Sequence, residues 1–471
     1  MRGHLIVLDV GKTMAKLTLW DGGALIDRCT RHNGRPGGGD YAALDVDGIE
    51  AWLLETLRRF ASQGPVRAII PVAHGAAAAI VRNGQLAAPP MDYEQAMPTA
   101  SRDGYERGRD DFARTGSPSL PDGLNLGAQL DRLESLRPGL IGEGATILLW
   151  PQYWAWLLSG VAASEVTSLS CHSDLWAPTE GRPSPMAERR GWASLLPPLR
   201  GAGEALGPIR PALAAATGIS ADAKILCGLH DSNAALLAAR GFPEIAEEES
   251  TVLSTGTWFV AMRTPAPGTR VDMASLPEAR DCLVNVDAYG RPVPSARFMG
   301  GREIETLTGI DTRRIDIVPD QPALISALPA AMASGAMVLP TFAAGFGPFA
   351  HARGRWTAMP ADECERRAAV SLYAALVADV ALDLIGSRER LLIEGRFAEA
   401  QVFVRALATL RPQTKVYVAN AHNDVSFGAL RLVDPGLKPT SRLTRVLPLD
   451  VSLDGYRSEW RRAAEQMEQA A

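Results

Sequence analysis

The sequence lacks the features that mark disulfide-stabilised, secreted and membrane-spanning chains. Its five cysteines are scattered, odd in number and never arranged as Cys-x-x-Cys. This pattern disfavours a disulfide framework or a structural zinc site and suits a reducing compartment. No apolar run approaches the roughly 20 residues that cross a bilayer, and no cleavage-type site follows the apolar Leu5–Leu8. We therefore expect a cytoplasmic protein.

Charge of one sign is also scarce. The net charge is −5 over 471 residues and contains no basic block, so neither nucleic acid nor an anionic membrane is an expected partner. The 46% hydrophobic and 21% charged residues are typical of a soluble enzyme. The length predicts two or three domains. The sequence does not determine the oligomeric state and leaves a homo-oligomer open.

The first part of the chain has the pattern of strands joined by tight turns, followed by a helix and a further strand. Strands are predicted at 5–10, 15–20, 24–30 and 66–73, with a helix at 47–62. This order predicts a mixed α/β sheet covered by helices. The stretch 89–127 is polar and rich in Gly and Pro, which predicts an excursion beside a site rather than core.

The second half of the chain repeats this opening. Residues 251–262 again have the order strand, Gly/Thr turn, strand, which predicts two duplicated domains. We place the boundary between Ala239 and Glu249, which gives domains 1–240 and 241–471. Further helices are predicted at 148–160, 362–385, 397–410 and 426–432, with a short strand at 390–394.

The turn Gly11-Lys12-Thr13 differs from a P-loop. A P-loop needs a glycine at position 6 and a helix after the turn, whereas Ile6 lies in a predicted strand and a second strand follows. The segment therefore predicts a β-hairpin tip. Such a tip can bind phosphate through its glycine backbone, the Thr13 hydroxyl and the charge of Lys12 or Lys16. An ordinary hairpin turn is the alternative.

A second tip with similar chemistry, Thr255-Gly256-Thr257, opens the second half. Two such tips could hold a triphosphate from both sides. Asp9, two residues before the first glycine, is a candidate magnesium ligand acting through water.

Asp231 is the candidate for proton transfer. It follows a strand predicted at 223–227 and precedes a helix predicted at 232–239. An aspartate at this place is often a helix N-cap. Ligands of α/β folds bind at the carboxyl ends of strands, so Asp231 is also a candidate general base. The two interpretations are compatible.

Taken in order, these segments resemble the FGGY carbohydrate kinases, which belong to the sugar kinase, actin and heat-shock chaperone superfamily. The similar segments are Leu8–Lys16, Trp150–Tyr153, Leu158–Gly160, Glu165–Ser168, Gly228–Asp231, Ser254–Thr257, Glu394-Gly395 and Asn420–Leu432. The resemblance implies two RNase H-like (actin-like ATPase) α/β domains facing each other across a central cleft. It implies ATP and Mg²⁺ as cofactors, with the first domain binding a small sugar or polyol and the second the nucleotide.

The resemblance also implies roles for individual residues. Asp231 would be the general base and would contact the substrate. Phosphate, nucleotide or magnesium contacts are implied for Asp9, Gly11, Lys12, Thr13, Lys16, Thr255, Gly256, Thr257, Gly395 and Asn423. Sugar contacts are implied for His74, Gly75, Asp92 and Tyr93. For His74 the alternative is a strand-end histidine paired to backbone.

Three departures from the family pattern leave the substrate and the nucleotide preference open. Arg396 stands where the family usually has a second glycine, and Lys12 stands where many members have a small or hydroxyl residue. The segment Met91–Glu94 lacks the arginine expected near the sugar.

Similarity of the segments 9–16 and 151–160 to deoxyketose kinases favours two substrate classes. These are ketopentoses and 6-deoxyketohexoses, of the ribulose, xylulose, rhamnulose or fuculose type. Two alternatives to a kinase are an ATP-driven conformational protein of the same superfamily and a catalytically silent sugar sensor.

Overall fold

The computed structural model describes residues 3–37, 39–246, 248–419 and 425–471. The chain divides into two compact units. The first unit comprises Met1–Gly241, Val284–Pro292 and Asn423–Lys438, and the second comprises Phe242–Leu283, Val293–His422 and Pro439–Ala471. The first break lies within the interval 239–249 chosen from the sequence, while two later segments also belong to the first unit. The assignment of sugar binding to one domain and nucleotide binding to the other stays a prediction.

The strands are β1 His4–Val10, β2 Met14–Asp21, β3 Ala24–His32, β4 Val66–Ala73, β5 Ala78–Arg82, β6 Gln85–Ala88, β7 Ala145–Leu149, β8 Trp176–Ala177, β9 Arg182–Pro183, β10 Ala205–Pro208, β11 Lys224–Leu226, β12 Leu229–His230, β13 Ser250–Thr255, β14 Phe259–Thr264, β15 Cys282–Val286, β16 Pro292–Phe298, β17 Val338–Leu339, β18 Arg355–Trp356, β19 Arg390–Gly395, β20 Lys415–Ala419 and β21 Leu443–Arg445.

The α-helices are α1 Val46–Ala61, α2 Thr99–Glu106, α3 Phe112–Thr115, α4 Leu126–Leu136, α5 Trp150–Ser159, α6 Val166–Leu169, α7 Pro185–Arg189, α8 Pro211–Thr217, α9 Asp231–Ala239, α10 Pro243–Ala246, α11 Gly300–Thr308, α12 Gln321–Ala333, α13 Glu363–Leu384, α14 Gln401–Leu410, α15 Val425–Leu430 and α16 Asp454–Gln469. Within the described residues, every helix is too short or too polar to cross a membrane.

Both units are built on the same sheet pattern. The first sheet has the order β3-β2-β1-β4-β11-β10, with β12 also paired to β4, and the second includes β16-β14-β13-β19-β20-β21 in that order. In each sheet the first strand pairs antiparallel with its hairpin partner and parallel with a central strand. The mixed sheet and the repeat predicted from the Gly/Thr turns are therefore confirmed.

Helix α1 covers one face of the first sheet because its apolar residues recur at helical spacing. Ile49, Leu53, Leu57 and Phe60 are at most 1% exposed and belong to one cluster with side chains of β1, β2 and β4. Burial of each such side chain contributes about 1.5–3 kcal/mol. Asp45 caps the helix by accepting a hydrogen bond from the Gly48 N–H. The sheet edge that carries the strand ends is thereby held on a packed core.

Two expectations for the middle of the chain were wrong. The helix predicted from residue 148 begins at Trp150, because Ile147–Leu149 completes β7, which pairs with β5. The stretch 89–127 is more than an excursion: it contains α2 and α3, and its Met91 and Tyr105 are buried in a second core cluster. Polar residues of this stretch form hydrogen bonds with one another inside the fold, which composition alone does not reveal.

Candidate active site

The turn between β1 and β2 is the first hairpin tip, Gly11–Thr13, as predicted. The Gly11 N–H donates to the Met14 carbonyl at 3.1 Å and closes the turn. Asn33, just after β3, donates through Nδ2 to the carbonyl oxygens of Gly11 at 2.8 Å and Lys12 at 3.1 Å. The third strand of the meander therefore holds the tip in place.

Lys12 extends from this tip toward the segment after β6. Its ammonium Nζ lies 2.9 Å from Asp92 Oδ1 and 2.5 Å from Glu94 Oε2. It also lies 4.3 Å from the ring centroid of Tyr93, close enough for a cation–π contact. The structure thus brings Lys12 together with residues predicted to bind sugar. Its implied contact with phosphate stays a prediction.

Asp9 and Lys16 face each other across the same hairpin. They are register partners of β1 and β2, and Lys16 Nζ lies 3.3 Å from Asp9 Oδ2. Within the described residues, no group of three or more His, Cys, Asp or Glu side chains is arranged to hold a metal. Magnesium commonly keeps several waters and binds one or two carboxylates plus substrate phosphates. Asp9 fits that mode.

Asp231 is carried to the end of the first sheet by a bend at Gly228. Gly228 has φ 79°, and a Cβ there would lie 2.1 Å from the Pro71 carbonyl oxygen, so the position requires glycine. Strand β12 then pairs with the end of β4. The N-cap position of α9 belongs to His230, not to Asp231, which is the first helical residue. The proposed capping role of Asp231 was therefore wrong.

The Asp231 carboxylate is held on one oxygen. Oδ1 accepts the Ser232 N–H at 2.6 Å and lies 3.1 Å from His230 Nε2. Burial raises the pKa of this carboxyl, but His230, His74 and the Ser232 N–H together outweigh burial, so the pKa lies below its usual value. Among the described residues no hydrogen bond involves Oδ2. The ionised group can therefore accept a proton through Oδ2.

His74 directly follows β4, and its imidazole is buried at 8% exposure. Within the described residues neither ring nitrogen has a hydrogen-bond partner. Its ring centroid lies 5.5 Å from that of Tyr93 and 6.4 Å from that of Trp150. Burial lowers its pKa to about 4, so the ring is neutral at pH 7 and can donate at one nitrogen and accept at the other.

The other predicted sugar residues adjoin His74 or Asp231. Asp92 is 7% exposed, and its Oδ1 accepts the Glu94 N–H at 2.9 Å. Burial raises the pKa of the Tyr93 hydroxyl to about 12, so it stays protonated. A Cβ on Gly75 would lie 2.5 Å from Cys171 Sγ, so a side chain is excluded there. The first unit therefore gathers the predicted sugar residues near His74, which interacts electrostatically with Asp231.

The second hairpin tip uses its hydroxyls differently. Thr255 is 3% exposed, and its Oγ1 donates to the Glu394 carbonyl at 2.6 Å and accepts the Phe397 N–H at 3.1 Å. The Gly256 N–H closes the turn on the Trp258 carbonyl at 3.0 Å. Gly256 and Thr257 are partly exposed. Within this tip, the Thr255 hydroxyl therefore ties the turn to the segment Glu394–Phe397, while Gly256 and Thr257 remain partly accessible to solvent.

A mostly apolar groove lies in the second unit beside the chain that follows Gly395. Its lining includes Phe397, Phe403 and Thr312. Arg396 donates to Thr312 Oγ1 at 2.6 Å, which fixes the guanidinium at this groove. A Cβ on Gly395 would lie 2.2 Å from the Thr255 carbonyl oxygen, so the second tip packs against this segment. The predicted contact at Asn423 lies outside the described residues.

The sequence analysis did not select His230, Cys171 or Trp150 as site residues. His230 immediately precedes Asp231, and that adjacency was a signal that could have identified it. Cys171 lies 59 residues before His230, and its Sγ is 3.4 Å from His230 Nε2. Nothing local in the sequence links Cys171 to the site, because the link is made by the fold.

Comparison with known proteins identifies the family. Residues 247–440 match the model of the carbohydrate kinase FGGY C-terminal domain. The crystal structure of a carbohydrate kinase from Novosphingobium aromaticivorans is 58% identical, covers 99% of this chain and 99% of that chain, and superposes with a TM-score of 0.95. The chain belongs to the FGGY carbohydrate kinases. The prediction of a sugar phosphotransferase is thereby confirmed.

More distant structures share the fold of this FGGY kinase. The xylulose kinase from Rhodospirillum rubrum is 18% identical, with a TM-score of 0.80, and covers 99% of this chain and 98% of that one. The Plasmodium falciparum glycerol kinase with ADP is 13% identical, with a TM-score of 0.80 and the same coverage. The predicted pair of RNase H-like, actin-like ATPase domains is confirmed. No curated protein sequence matches the chain.

Proposed function

We propose that this kinase transfers the γ-phosphate of ATP to a hydroxyl of an uncharged ketose or polyol, with Asp231 as the general base. The observation that carries the proposal is the buried His74 imidazole, which has no hydrogen-bond partner among the described residues and adjoins the carboxylate of Asp231. A buried polar group without a partner costs about 1–3 kcal/mol. A sugar hydroxyl or carbonyl oxygen would satisfy it.

The reaction asks little covalent work of the protein. The substrate hydroxyl gives its proton to Asp231 Oδ2 while its oxygen attacks the γ-phosphorus in line, and the bond from the γ-phosphorus to the bridging oxygen of ADP breaks. The lowered pKa of Asp231 keeps the base ionised at neutral pH. Ser232 and His230 hold Oδ1, so the carboxylate cannot turn away.

The charge around the sugar residues favours an uncharged substrate. The Lys12 ammonium is already shared between the carboxylates of Asp92 and Glu94, and Asp231 adds a third negative group. A sugar acid would find the neighbouring cations Lys12 and His230 already in contact with carboxylates, whereas ketose hydroxyls can donate to the carboxylates and pair with His74. Ketopentoses and 6-deoxyketohexoses remain our leading classes, on the family resemblance.

Phosphate contacts are proposed for the exposed parts of the two tips. These are the Gly11 backbone and Thr13 in the first unit, and Gly256 and Thr257 in the second. Asp9 would hold Mg²⁺ through water, beside Lys16. When bound, the metal would neutralise charge on the β- and γ-phosphates. The apolar groove lined by Phe397 and Phe403 has the mostly apolar lining that suits a nucleotide base.

The test is a coupled assay of ADP release on Asp231→Asn. The amide keeps the shape of the side chain, so folding should survive, but it cannot accept the proton. We expect turnover to fall by at least about 10²-fold, with both Michaelis constants changed much less. Asp454→Asn is the matched control, because Asp454 is also the first residue of a helix and is exposed. A folded Asp231→Asn enzyme within a few-fold of wild type would refute the proposed base.

The substrate class is tested in the same assay with wild-type enzyme. Ketopentoses, 6-deoxyketohexoses, polyols and aldonates would be compared at equal concentration. We expect the uncharged compounds to give the highest kcat/KM. Preferential phosphorylation of an aldonate would contradict the charge argument and would leave the role of Asp231 untouched.

A further inference from the structure

His230 lies between a thiol and the proposed base in the first unit. Its Nε2 is 3.4 Å from Cys171 Sγ and 3.1 Å from Asp231 Oδ1. Cys171 and His230 are only 4% and 6% exposed, whereas the Asp231 side chain is 30% exposed. The three groups therefore form a row that runs from the interior to the reacting carboxylate.

The fold fixes His230 from its backbone as well. The His230 N–H donates to Thr167 Oγ1 at 3.0 Å, and that hydroxyl donates to Glu165 Oε2 at 2.6 Å. Glu165 is fully buried and caps α6 by accepting the Thr167 and Ser168 N–H groups. The segment Glu165–Ser168, which resembles a family segment, thus supports His230, the residue that precedes Asp231.

The charges of the row complement one another. Burial raises the pKa of the Cys171 thiol, but His172 and His230 outweigh it and bring it to about 5. Burial lowers the pKa of His230, yet Cys171 and Asp231 raise it well above its ordinary value. At neutral pH this gives a thiolate, an imidazolium and a carboxylate in sequence. A thiolate beside a protonated histidine is a known stabilising arrangement.

Asn233 can serve either charge state of the ring. Its Nδ2 lies 3.4 Å from His230 Nδ1, and its Oδ1 has no hydrogen-bond partner among the described residues. The amide as placed can donate to a neutral ring. Rotated by half a turn, it presents Oδ1 to the N–H of an imidazolium. The surroundings of Nδ1 therefore accommodate the cation.

The other ionisable groups near Cys171, His230 and Asp231 do not replace His230 as the cation beside the Asp231 carboxylate. His74 and Tyr93 interact with Asp231, but His74 is neutral at pH 7 and Tyr93 stays protonated. Burial raises the pKa of Glu165 to about 7, and this carboxyl acts on His230 through Thr167. His172 acts on the thiol and bonds the Leu124 carbonyl through Nδ1. His230 is thus the cation in ion-pair contact with the base, at 3.1 Å.

We propose that His230 is a positioning residue that, anchored by Cys171, holds Asp231 Oδ1 and keeps the carboxylate ionised, so that Oδ2 is presented to the substrate hydroxyl. This inference rests on the proposed role of Asp231. Cys171 acts only through His230 and does not touch the substrate. No oxidant or further reactant is needed, because His230 neither gains nor loses a proton during transfer.

The first test is the pH dependence of kcat/KM for the sugar in His230→Gln, at saturating nucleotide. Asp231 has a lowered pKa in wild type, so its acid limb lies at a lower pH than an ordinary aspartate would give. Without the imidazolium, burial is opposed only by His74 and the Ser232 N–H, and the pKa of Asp231 rises. We expect activity to fall about 10- to 10²-fold at neutral pH, with a new acid limb at higher pH than in wild type.

The matched control is His32→Gln, which changes an exposed histidine at the end of β3. The pH profile of this control should lack the new acid limb. A limb that comes from protonation of the nucleotide itself would appear in every variant. A His230→Gln enzyme that loses the same factor at every pH would overturn the proposal, because that is the result of a packing role alone. Asp231→Asn separates the failures: full activity there refutes the base itself.

The second test does not depend on how well His230→Gln folds. The ultraviolet absorbance of thiolate in wild type minus that in Cys171→Ala should titrate near pH 5, well below an ordinary cysteine. A thiol that titrates in the ordinary cysteine range would overturn the proposal, because Cys171 would then carry no charge to anchor the imidazolium.

Discussion

The two hairpin tips have the same place in the two sheets but are stabilised and charged differently. The first tip is held by Asn33 and carries Lys12, whose charge is directed to Asp92 and Glu94. The second tip carries no charge of its own and is held by Thr255 and by close backbone packing against α11. The same strand–turn–strand order thus serves two local environments.

The difference shows which features of a duplicated motif are free to change. Strand pairing is common to both tips, because β1 and β13 each lie between an antiparallel and a parallel neighbour. The side chain that follows the first glycine is Lys12 in one tip and Thr257 in the other. In this kinase the first tip is linked to the predicted sugar residues, whereas the second is linked to the segment after Gly395.

The largest effect is expected where the second tip packs against a helix. A Cβ on Gly301, in α11, would lie 2.0 Å from the Gly256 carbonyl oxygen and 3.1 Å from Thr257 Cα. Both neighbours are backbone and cannot yield, so Gly301→Ala should cost about 3 kcal/mol or more of the free energy of unfolding. Urea denaturation measures this loss, and kinase activity should fall with it.

Gly455→Ala is the control for Gly301→Ala. Gly455 lies in α16, and a Cβ there would meet no described atom within 4 Å. Its substitution should leave stability unchanged or raise it by up to about 1 kcal/mol, through helix propensity. Equal unfolding midpoints for the two variants would show that the second tip can shift away from α11.

An intermediate effect is expected from the charge of the first tip. Lys12→Met leaves the buried Asp92 without its ammonium partner, and an unpaired buried charge is strongly unfavourable. We expect the Michaelis constant for the sugar to rise about 10-fold, and that for ATP to change less than about 3-fold. Initial rates with each substrate varied in turn measure both constants.

Lys16→Met is the matched comparison, since Lys16 lies in the same hairpin but pairs with Asp9. There the constant for ATP should rise more than that for the sugar. If Lys12→Met instead weakens ATP use more than sugar use, the phosphate role implied by the resemblance is correct, and the contacts with Asp92 and Glu94 are secondary.

The sequence predicted those parts of the fold that depend on local periodicity. Alternating and apolar runs predicted the strands on either side of both tips, and the repeat predicted two similar sheets. The start of α5 at Trp150 was missed because an apolar run does not distinguish the end of a buried strand from a helix. Two later segments, 284–292 and 423–438, also belong to the first unit. Their assignment depends on tertiary packing, which leaves no local signal in the sequence.

The site was predictable as far as single residues on strand ends were concerned. Asp231 follows a strand of the first sheet, and the rule that ligands bind at such ends selects it, whereas His74 was selected by the family resemblance. Cys171 could not be selected, because only the fold brings it to His230. The direction of the Lys12 side chain could not be predicted either. A long side chain on a turn can reach several partners, and its direction depends on where the fold places the nearest carboxylates.

The smallest effects are expected within the second tip, where two threonines separate structure from ligand binding. Thr255→Ala removes a buried hydroxyl and leaves the Phe397 N–H without its acceptor, which should cost about 1–3 kcal/mol of stability. Thr257 is only partly buried. Thr257→Ala should change stability by less than about 0.5 kcal/mol and raise the Michaelis constant for ATP about 2- to 10-fold. Urea denaturation and ATP-dependent rates on both variants test this division of roles between Thr255 and Thr257.

The division fails if Thr255→Ala is as stable as wild type, because the Thr255 hydroxyl would then not hold the tip to the Glu394–Phe397 segment. It fails equally if Thr257→Ala leaves ATP use unchanged, because the Thr257 hydroxyl would then make no phosphate contact.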